Sequence, residues 1–363
     1  MLFSQTVGLH GQLSDWVTVN PKKEAEAQIG LRYIPELSLG KRISDNFSLD
    51  AEISFNSYGT VLFQQDQEFD TDGKVKPYRM WLRLSSSQFE LRFGLQKLNF
   101  GSAMFLRPLM WFDRIDPRDP LQMTDGVYAF LGRYYFLNNA NIWLWGLYGN
   151  DETKGWEAFP SNNKKIEYGG RVQVPVLTGE AAFTFHHREA DLNATPFSSL
   201  LSSKSAIPEW RLGLDGKWDV GVGVWCEAAL IHQELNLSMF DYQRLVNAGM
   251  DYTFDIGNGL NVQCEYLNMA TAGSAFKTTE DLAFSAFSMS YPLGIIDNFS
   301  TIIYYNWDNS DWYRFINWQR TFDRWSLYFM AFWNPDQFQI YQIQGDNNLF
   351  AGRGLQVLVS FHH

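Results

Sequence analysis

The sequence predicts an all-β protein, a transmembrane antiparallel β-barrel of about 18 strands. Three observations carry this. Aromatic residues make up 17% of the 363 residues, with 29 Phe, 17 Tyr and 14 Trp, yet the mean hydropathy is only −0.26. Many short segments alternate apolar and polar residues with period two, and no apolar run is long enough for a membrane-spanning helix. The connections between these segments are alternately short and long. A barrel reconciles all three, because lipid-facing and water-facing residues alternate and cancel in any average. The net charge of −11 and a pI of about 5.0 argue against nucleic-acid binding. Two cysteines are too few for a disulfide scaffold.

The strands are expected at 6–17, 25–42, 47–60, 77–85, 89–98, 127–136, 141–149, 166–175 and 180–189 in the first half. In the second half they are expected at 208–218, 221–233, 243–254, 260–268, 281–291, 298–307, 313–321, 325–333 and 352–361. The clearest is 47–60, with Phe47, Leu49, Ala51, Ile53 and Phe55 on one face and Ser48, Asp50, Glu52, Ser54 and Asn56 on the other. In 77–85, Met80, Leu82 and Leu84 oppose Arg79 and Arg83, with one inward Trp81. In 89–98, Leu91, Phe93 and Leu95 oppose Glu90, Arg92 and Gln96. Segment 208–218 places Arg211, Asp215 and Lys217 on its polar face, and 260–268 places Asn261, Gln263 and Glu265 there. Segments 281–291 and 313–321 alternate poorly, which leaves 16 strands as the other count.

Short connections fall at 44–46, 85–88, 137–140, 219–220 and 255–259. Longer ones fall at 62–76, 99–126, 150–165, 190–207, 269–280 and 334–351. Short turns on one side and long loops on the other are the asymmetry of an outer-membrane barrel, so both termini are expected on the periplasmic side. One domain is expected over 1–361, without a plug before the first strand. His362 and His363 read as a tag remnant, and 1–5 as the end of a signal peptide or an added Met. Leu355, Val357, Val359 and Phe361 share one face of the last strand. That terminal aromatic, Phe361, resembles the signal by which the barrel-assembly machinery recognises its clients.

The longest connection, 99–126, is the third outer loop and is too apolar for a solvated tip. Met104, Phe105, Leu106, Leu109, Met110, Trp111 and Phe112 lie close together in it. Burying each fully would release about 1.5–3 kcal/mol. The loop is therefore expected to fold into the lumen and line a constriction. Its charged residues Arg107, Asp113, Arg114, Asp116, Arg118 and Asp119 allow two readings. They form a charged eyelet, or they pair among themselves and pin the loop to the wall. Under the first reading Asp113, Asp116, Asp119 and Asp125 face a wall of Arg79, Arg83, Arg92 and Arg133. Further along, Arg171, Arg188 and Arg211 fall inward on one arc, and Glu227, Asp251 and Glu265 on another. They make either a transverse field or local pairs.

Other chemistry finds little support. The sequence has no G-x-S-x-G elbow, Walker loop, Rossmann fingerprint or C-x-x-C-H site. His186 and His187 are adjacent on a strand, face opposite ways and cannot both bind one metal from there. Cys226 and Cys264 fall on the apolar face one strand apart, too far for a disulfide. No catalytic residue, metal or cofactor is expected.

The run from Arg92 through Gly94 and Gln96 to Gly101, feeding a loop with Asp and Pro, resembles substrate-selective and alginate-export-like porins. The place of the longest loop resembles general porins as well. Those have 16 strands, so a count of 18 fits the larger specific porins better. The resemblance implies a channel for small polar or charged solutes in the outer membrane of a Gram-negative bacterium. Its partners would be membrane lipid and lipopolysaccharide, the assembly machinery, and a second copy or a partner protein, with no nucleic acid. The alternative is a structural barrel that scaffolds an export, lipoprotein or electron-transfer complex.

Overall fold

The computed structural model describes residues 5–21, 25–64, 69–193, 205–235, 241–335 and 350–363. It is a single closed sheet of 18 antiparallel strands. In order these are β1 (Gln5–Val19), β2 (Ala25–Arg42), β3 (Ser48–Gln64), β4 (Phe69–Ser85), β5 (Phe89–Gln96) and β6 (Val127–Tyr135). Next come β7 (Asn141–Leu147), β8 (Glu167–Val176), β9 (Gly179–Asp191), β10 (Ala206–Asp219), β11 (Gly223–Gln233) and β12 (Tyr242–Phe254). The last are β13 (Leu260–Ala272), β14 (Glu280–Pro292), β15 (Asp297–Asn306), β16 (Asp311–Thr321), β17 (Trp325–Trp333) and β18 (Arg353–His362). Each strand pairs with its sequence neighbours, and β1 closes on β18, with Leu13 opposite Phe361 and Val19 opposite Leu355. Closure is what lipid demands, since an open edge there would leave backbone groups without partners. β18 runs through His362, and His363 exchanges two main-chain hydrogen bonds with Gly11, both 3.0 Å.

Period-two alternation becomes two surfaces. Leu9, Leu31, Phe93, Leu144 and Leu214 are exposed on the outside, while Ser14, Thr18, Gln96, Thr184 and Asn247 are buried on the inside. Apolar outside and polar inside is the inverse of a soluble fold and is the arrangement for lipid.

The expected spans agree with the strands to within a few residues, except at the second outer connection. The expected loop 62–76 is mostly paired backbone: β3 runs to Gln64, β4 starts at Phe69, and Tyr58 faces Lys74. Alternation stops there because both faces of the hairpin meet water beyond the apolar band. Hydrogen bonding continues regardless. A register shift between Ser54 and Phe55 leaves Tyr78 unpaired as a bulge. Residues 1–4, and most of the expected loops 190–207 and 334–351, lie outside the described residues. The two poorly alternating segments are both strands, β14 and β16. Their inner faces carry Phe284 and Ala286, and Tyr313 and Phe315, all buried in an apolar cluster.

An outward carboxylate breaks the pattern within the apolar stretch of β1. Asp15 is exposed on β1 between Leu13 and Val17, opposite Leu31 of β2 and Val359 of β18. A carboxylate in an apolar band opposes insertion, although less than a basic residue does. Asp15→Leu should therefore raise the unfolding free energy in lipid vesicles by about 1–2 kcal/mol, read by denaturant titration. An unchanged or lower value would mean that the carboxylate has a polar neighbour in the membrane.

Candidate functional site

The segment between β5 and β6, residues 97–126, is bound to strands on a distant part of the wall. Glu227 of β11 accepts main-chain N–H groups from Ser102 and Ala103, the latter at 2.7 Å, and Leu109 approaches its other oxygen at 3.4 Å. Glu265 of β13 accepts those of Met104 at 2.6 Å, Phe105 at 3.1 Å and Leu106 at 2.7 Å. Asn247 of β12 donates to the Leu106 carbonyl at 2.9 Å and to Glu265 at 3.3 Å. Both carboxylates and Asn247 are buried on the inner face. Glycine is needed where the loop approaches Glu227. Gly101 has φ +98°, and a Cβ there would collide with that carboxylate.

The apolar part of the loop follows the same path. Phe100, Phe105, Leu106, Leu109, Trp111 and Phe112 form one buried cluster with wall residues Leu131, Trp145, Leu245, Leu267, Phe284 and Phe315. Of the seven apolar residues singled out in the sequence, Met104 alone is exposed, at 51%. Phe100 stands edge-on to Trp111 at 5.6 Å and stacks on Trp145 at 5.7 Å. The wall gives way to admit the loop: a Cβ on Gly213 of β10 would meet Leu109 at 2.7 Å.

The loop charges pair locally. Arg107 makes a bidentate pair with Asp113 at 2.7 and 3.1 Å, and Asp113 is fully buried. Arg118 pairs with Asp116 at 2.6 Å and lies over the rings of Phe315 and Phe350, each 5.3 Å away. Asp119 closes its own turn, accepting from Leu121 at 2.9 Å and Met123 at 3.1 Å. Burial pushes its carboxyl above the usual range despite these two bonds. Arg114 donates to Thr153 at 2.7 Å. Lys154 in the next outer loop is buried, and burial together with Arg114 lowers its ammonium below the usual lysine range.

The expectation that the loop acids face Arg79, Arg83, Arg92 and Arg133 is corrected by these pairs. Arg79 alone touches the loop, through the Thr124 carbonyl at 3.0 Å, and Asp125 pairs with Lys76 at 2.6 Å. Arg83 pairs with Asp50 at 3.0 Å, and Arg92 with Glu90 at 3.0 Å. Arg133 approaches Glu90 at 3.8 Å and lies over Trp143 at 3.7 Å. The reason is position along the strands. Glu90 pairs with Arg133 and Ser85 next to the short turns, whereas the loop leaves from the opposite ends of β5 and β6. Charges two to six residues apart also find each other without ordering a second chain segment.

The two-arc field is replaced by pairs as well. Arg171 binds Asp215 at 2.5 and 2.8 Å. Arg188 binds Glu209 at 2.6 Å and Glu157 at 3.3 Å, and Arg211 binds Glu157 at 2.6 Å. Glu157 comes from the connection between β7 and β8, so this network ties a second outer loop to the wall. Sequence reading missed Glu157, Glu167 and the Trp145–His186 contact. His186 accepts from Trp145 at 3.2 Å, contacts Glu167 at 3.2 Å and packs edge-on to Phe112 at 4.9 Å. His187 faces outward and packs at a tilt against Trp210, ring centroids 3.9 Å apart. The cysteines are free. Among the described residues, no group of three or more His, Cys, Asp or Glu is arranged to hold a metal ion.

A closed 18-stranded barrel with an apolar exterior and a loop bonded to its inner wall has the porin-type fold. No protein-family model and no curated relative matches the sequence. The solved structures that match share the fold along the whole chain. OccAB1 of Acinetobacter baumannii superposes with a TM-score of 0.61 at 8% identity, over 99% of this chain and 96% of that one. OccK5 of Pseudomonas aeruginosa has a TM-score of 0.58 at 11% identity, covering 99% and 97%. OmpF of Salmonella typhi has 0.54 at 9% identity, covering 98% and 97%.

Removing an anchor should release its stretch of loop. Glu265→Ala strands three main-chain amides, of which those of Phe105 and Leu106 are buried and cost about 1–3 kcal/mol each when unsatisfied. Hydrogen exchange of the amides of Met104, Phe105 and Leu106 should speed up by about tenfold or more, with the strands still protected. Unchanged exchange would mean that the apolar cluster alone holds the segment.

Proposed function

We propose that the protein is an outer-membrane channel of a Gram-negative bacterium, through which small polar or charged solutes diffuse, narrowed by loop 99–126. The observation that carries this is the binding of the loop amides by Glu227 and Glu265, which anchors a long outer loop to the inner wall. A loop held in that way occupies part of the lumen. We assign to the constriction the pairs Arg107–Asp113, buried within the loop, and Arg118–Asp116, with Arg79, Arg114 and Arg171 as further lining groups. Solutes pass a surface of fixed, mutually neutralised dipoles rather than a strong field. That favours hydrated polar molecules over one sign of ion. Passage needs no covalent chemistry, so we assign no catalytic residue and no cofactor.

The scaffold alternative rests on an apolar loop free to dock a partner. Residues 105–112 are buried, which removes that support. Membrane lipid and the assembly machinery are the partners we assign, with Phe361 as the assembly signal. A second copy of the chain is a further candidate, since an OmpT structure from Vibrio cholerae with a TM-score of 0.55 is a trimer form.

Planar-bilayer recording tests the reading. Open steps should be seen with the purified protein, and deletion of 104–118 should enlarge them. Asp113→Asn removes one negative charge from the loop while Arg107 stays, so ion selectivity should move toward anions. Silence of the intact protein would overturn the channel. Conductance unchanged by the deletion would overturn the constriction.

Deletion of Phe361 with the two residues after it should lower the amount of folded barrel in the membrane, seen as loss of the heat-modifiable band. An unchanged yield would make Phe361 only a strand residue, paired with Leu13 and Trp325.

A further inference from the structure

Strand β4 runs farther outward than its neighbour on one side. It pairs with β3 from Phe69, opposite Phe63, to Ser85, opposite Ser48. It pairs with β5 only from Met80 to Ser85, because β5 ends at Gln96 and the chain turns inward as loop 97–126. The other edge of residues 69–79 therefore has no strand beside it among the described residues. The segments that flank this edge, 97–126 and 148–166, are all described. At its foot a cleft of about 170 Å³ lies between Lys74, Lys76 and Pro77 on one side and Asn150 and Glu152 on the other. Residues 69–75 are exposed throughout, Phe69 and Val75 each at 70%. The main-chain N–H and C=O groups of such an edge are a template for another strand.

The side chains of this edge have a pattern that a reversed copy completes. Asp70, Asp72, Lys74 and Lys76 lie opposite Leu62, Thr60, Tyr58 and Asn56 of β3, so they share one face. Phe69, Thr71, Val75 and Pro77 share the other. Two acids thus precede two bases about Gly73. Antiparallel pairing of two copies, Gly73 opposite Gly73, sets Asp72 against Lys74 and Asp70 against Lys76, each twice. On the other face it sets Thr71 against Val75 and Phe69 against Pro77. Lys76 already pairs with Asp125 at 2.6 Å, so Asp72 and Lys74 carry the register. Parallel pairing in register sets Asp72 on Asp72 and Lys74 on Lys74. A parallel shift by two residues sets Asp70 on Asp72 and Lys74 on Lys76. Charges of one sign that guard an edge repel a strand in either direction. These repel a parallel copy and match an antiparallel one.

We infer that the β4 edge pairs antiparallel with the same edge of a second copy of this chain. Residues 69–77 of each copy take part, about 30 Å of strand. The incoming strand fits the length of the free edge. Phe69 of the second copy stands opposite Pro77, three residues before the first β5 pair at Met80. The joined sheet runs β2, β3, β4 and then the second copy's β4, β3 and β2, six strands, which is a common sheet size. Copies in one membrane share an outward direction, whereas the two-fold axis that relates antiparallel strands inverts the barrel. The contact therefore joins copies head to head, from two facing membranes. It is distinct from side-by-side association through the barrel walls. It goes beyond the channel reading and does not depend on it.

The test uses the full-length protein in detergent, with its mass read by sedimentation velocity over a range of concentrations. The intact protein should associate in twos, and added salt should weaken the association. Asp72→Lys and Lys74→Asp each turn two matched pairs into two repulsive ones. Either variant alone should therefore associate about tenfold or more weakly. An equimolar mixture of the two variants should associate as the intact protein does, because each supplies the charge that the other lacks. The chain carrying both substitutions should do so as well. Both positions are exposed, so heat-modifiable migration should stay normal. Single variants that associate as tightly as the intact protein, or a mixture no tighter than its components, would overturn the pairing. Phosphatidylcholine vesicles carrying the intact protein should cluster, and vesicles carrying one variant should not. Pairing in detergent without clustering of vesicles would overturn the head-to-head arrangement. Conductance is recorded separately, so loss of pairing with normal channels fails this inference alone. Silent channels with normal pairing fail only the channel reading.

Discussion

The organisation of the interior depends on two buried carboxylates that are held by main-chain amides. Glu227 and Glu265 sit on the inner face of the wall and are satisfied by main-chain N–H groups of a loop that begins several strands away. A buried anion left without donors would cost several kcal/mol. A run of loop amides buried without acceptors would be as unfavourable. Each set solves the other's problem, and together they specify where the loop lies.

That arrangement decides what the rest of the inner wall must be. A loop pinned by its backbone presents its side chains in fixed directions. Its apolar ones need apolar wall. The wall supplies Leu131, Leu245, Leu267, Phe284 and Phe315 at inward positions, where an empty lumen would carry polar groups. Charges that remain are paired over short distances. Arg107 with Asp113, and Arg118 with Asp116, belong to the loop itself, and Glu157 joins the next loop to Arg188 and Arg211. The charges of this part of the interior are therefore held as ion pairs and hydrogen-bonded dipoles rather than as a one-signed ring.

The outer surface obeys a different constraint. Lipid solvates apolar side chains well and carries few polar partners, so exceptions on that face carry information. Asp15 sits within the band, whereas Arg314 and Arg353 sit at its boundary beside tryptophan.

Strand existence and direction were legible in the sequence because period-two alternation is imposed residue by residue by the lipid on one side and water on the other. Residues 47–56 show it without error, and β3 follows. The alternation of short and long connections was readable in most places, but not at 62–76, where the strands pair on beyond the end of the apolar alternation. β14 and β16 were ambiguous for a reason visible only in the fold. Their inner faces meet the loop rather than water, so Phe284 and Phe315 blur the alternation. The inward direction of Glu227 and Glu265 was readable, but their partners were not. Main-chain amides leave no mark in a sequence, and they come from residues more than a hundred positions away. The wall arginines were assigned to the wrong acids for the same reason. Alternation states which face a charge is on but not its height along the barrel. That height is set by strand stagger and closure, which only the assembled sheet decides.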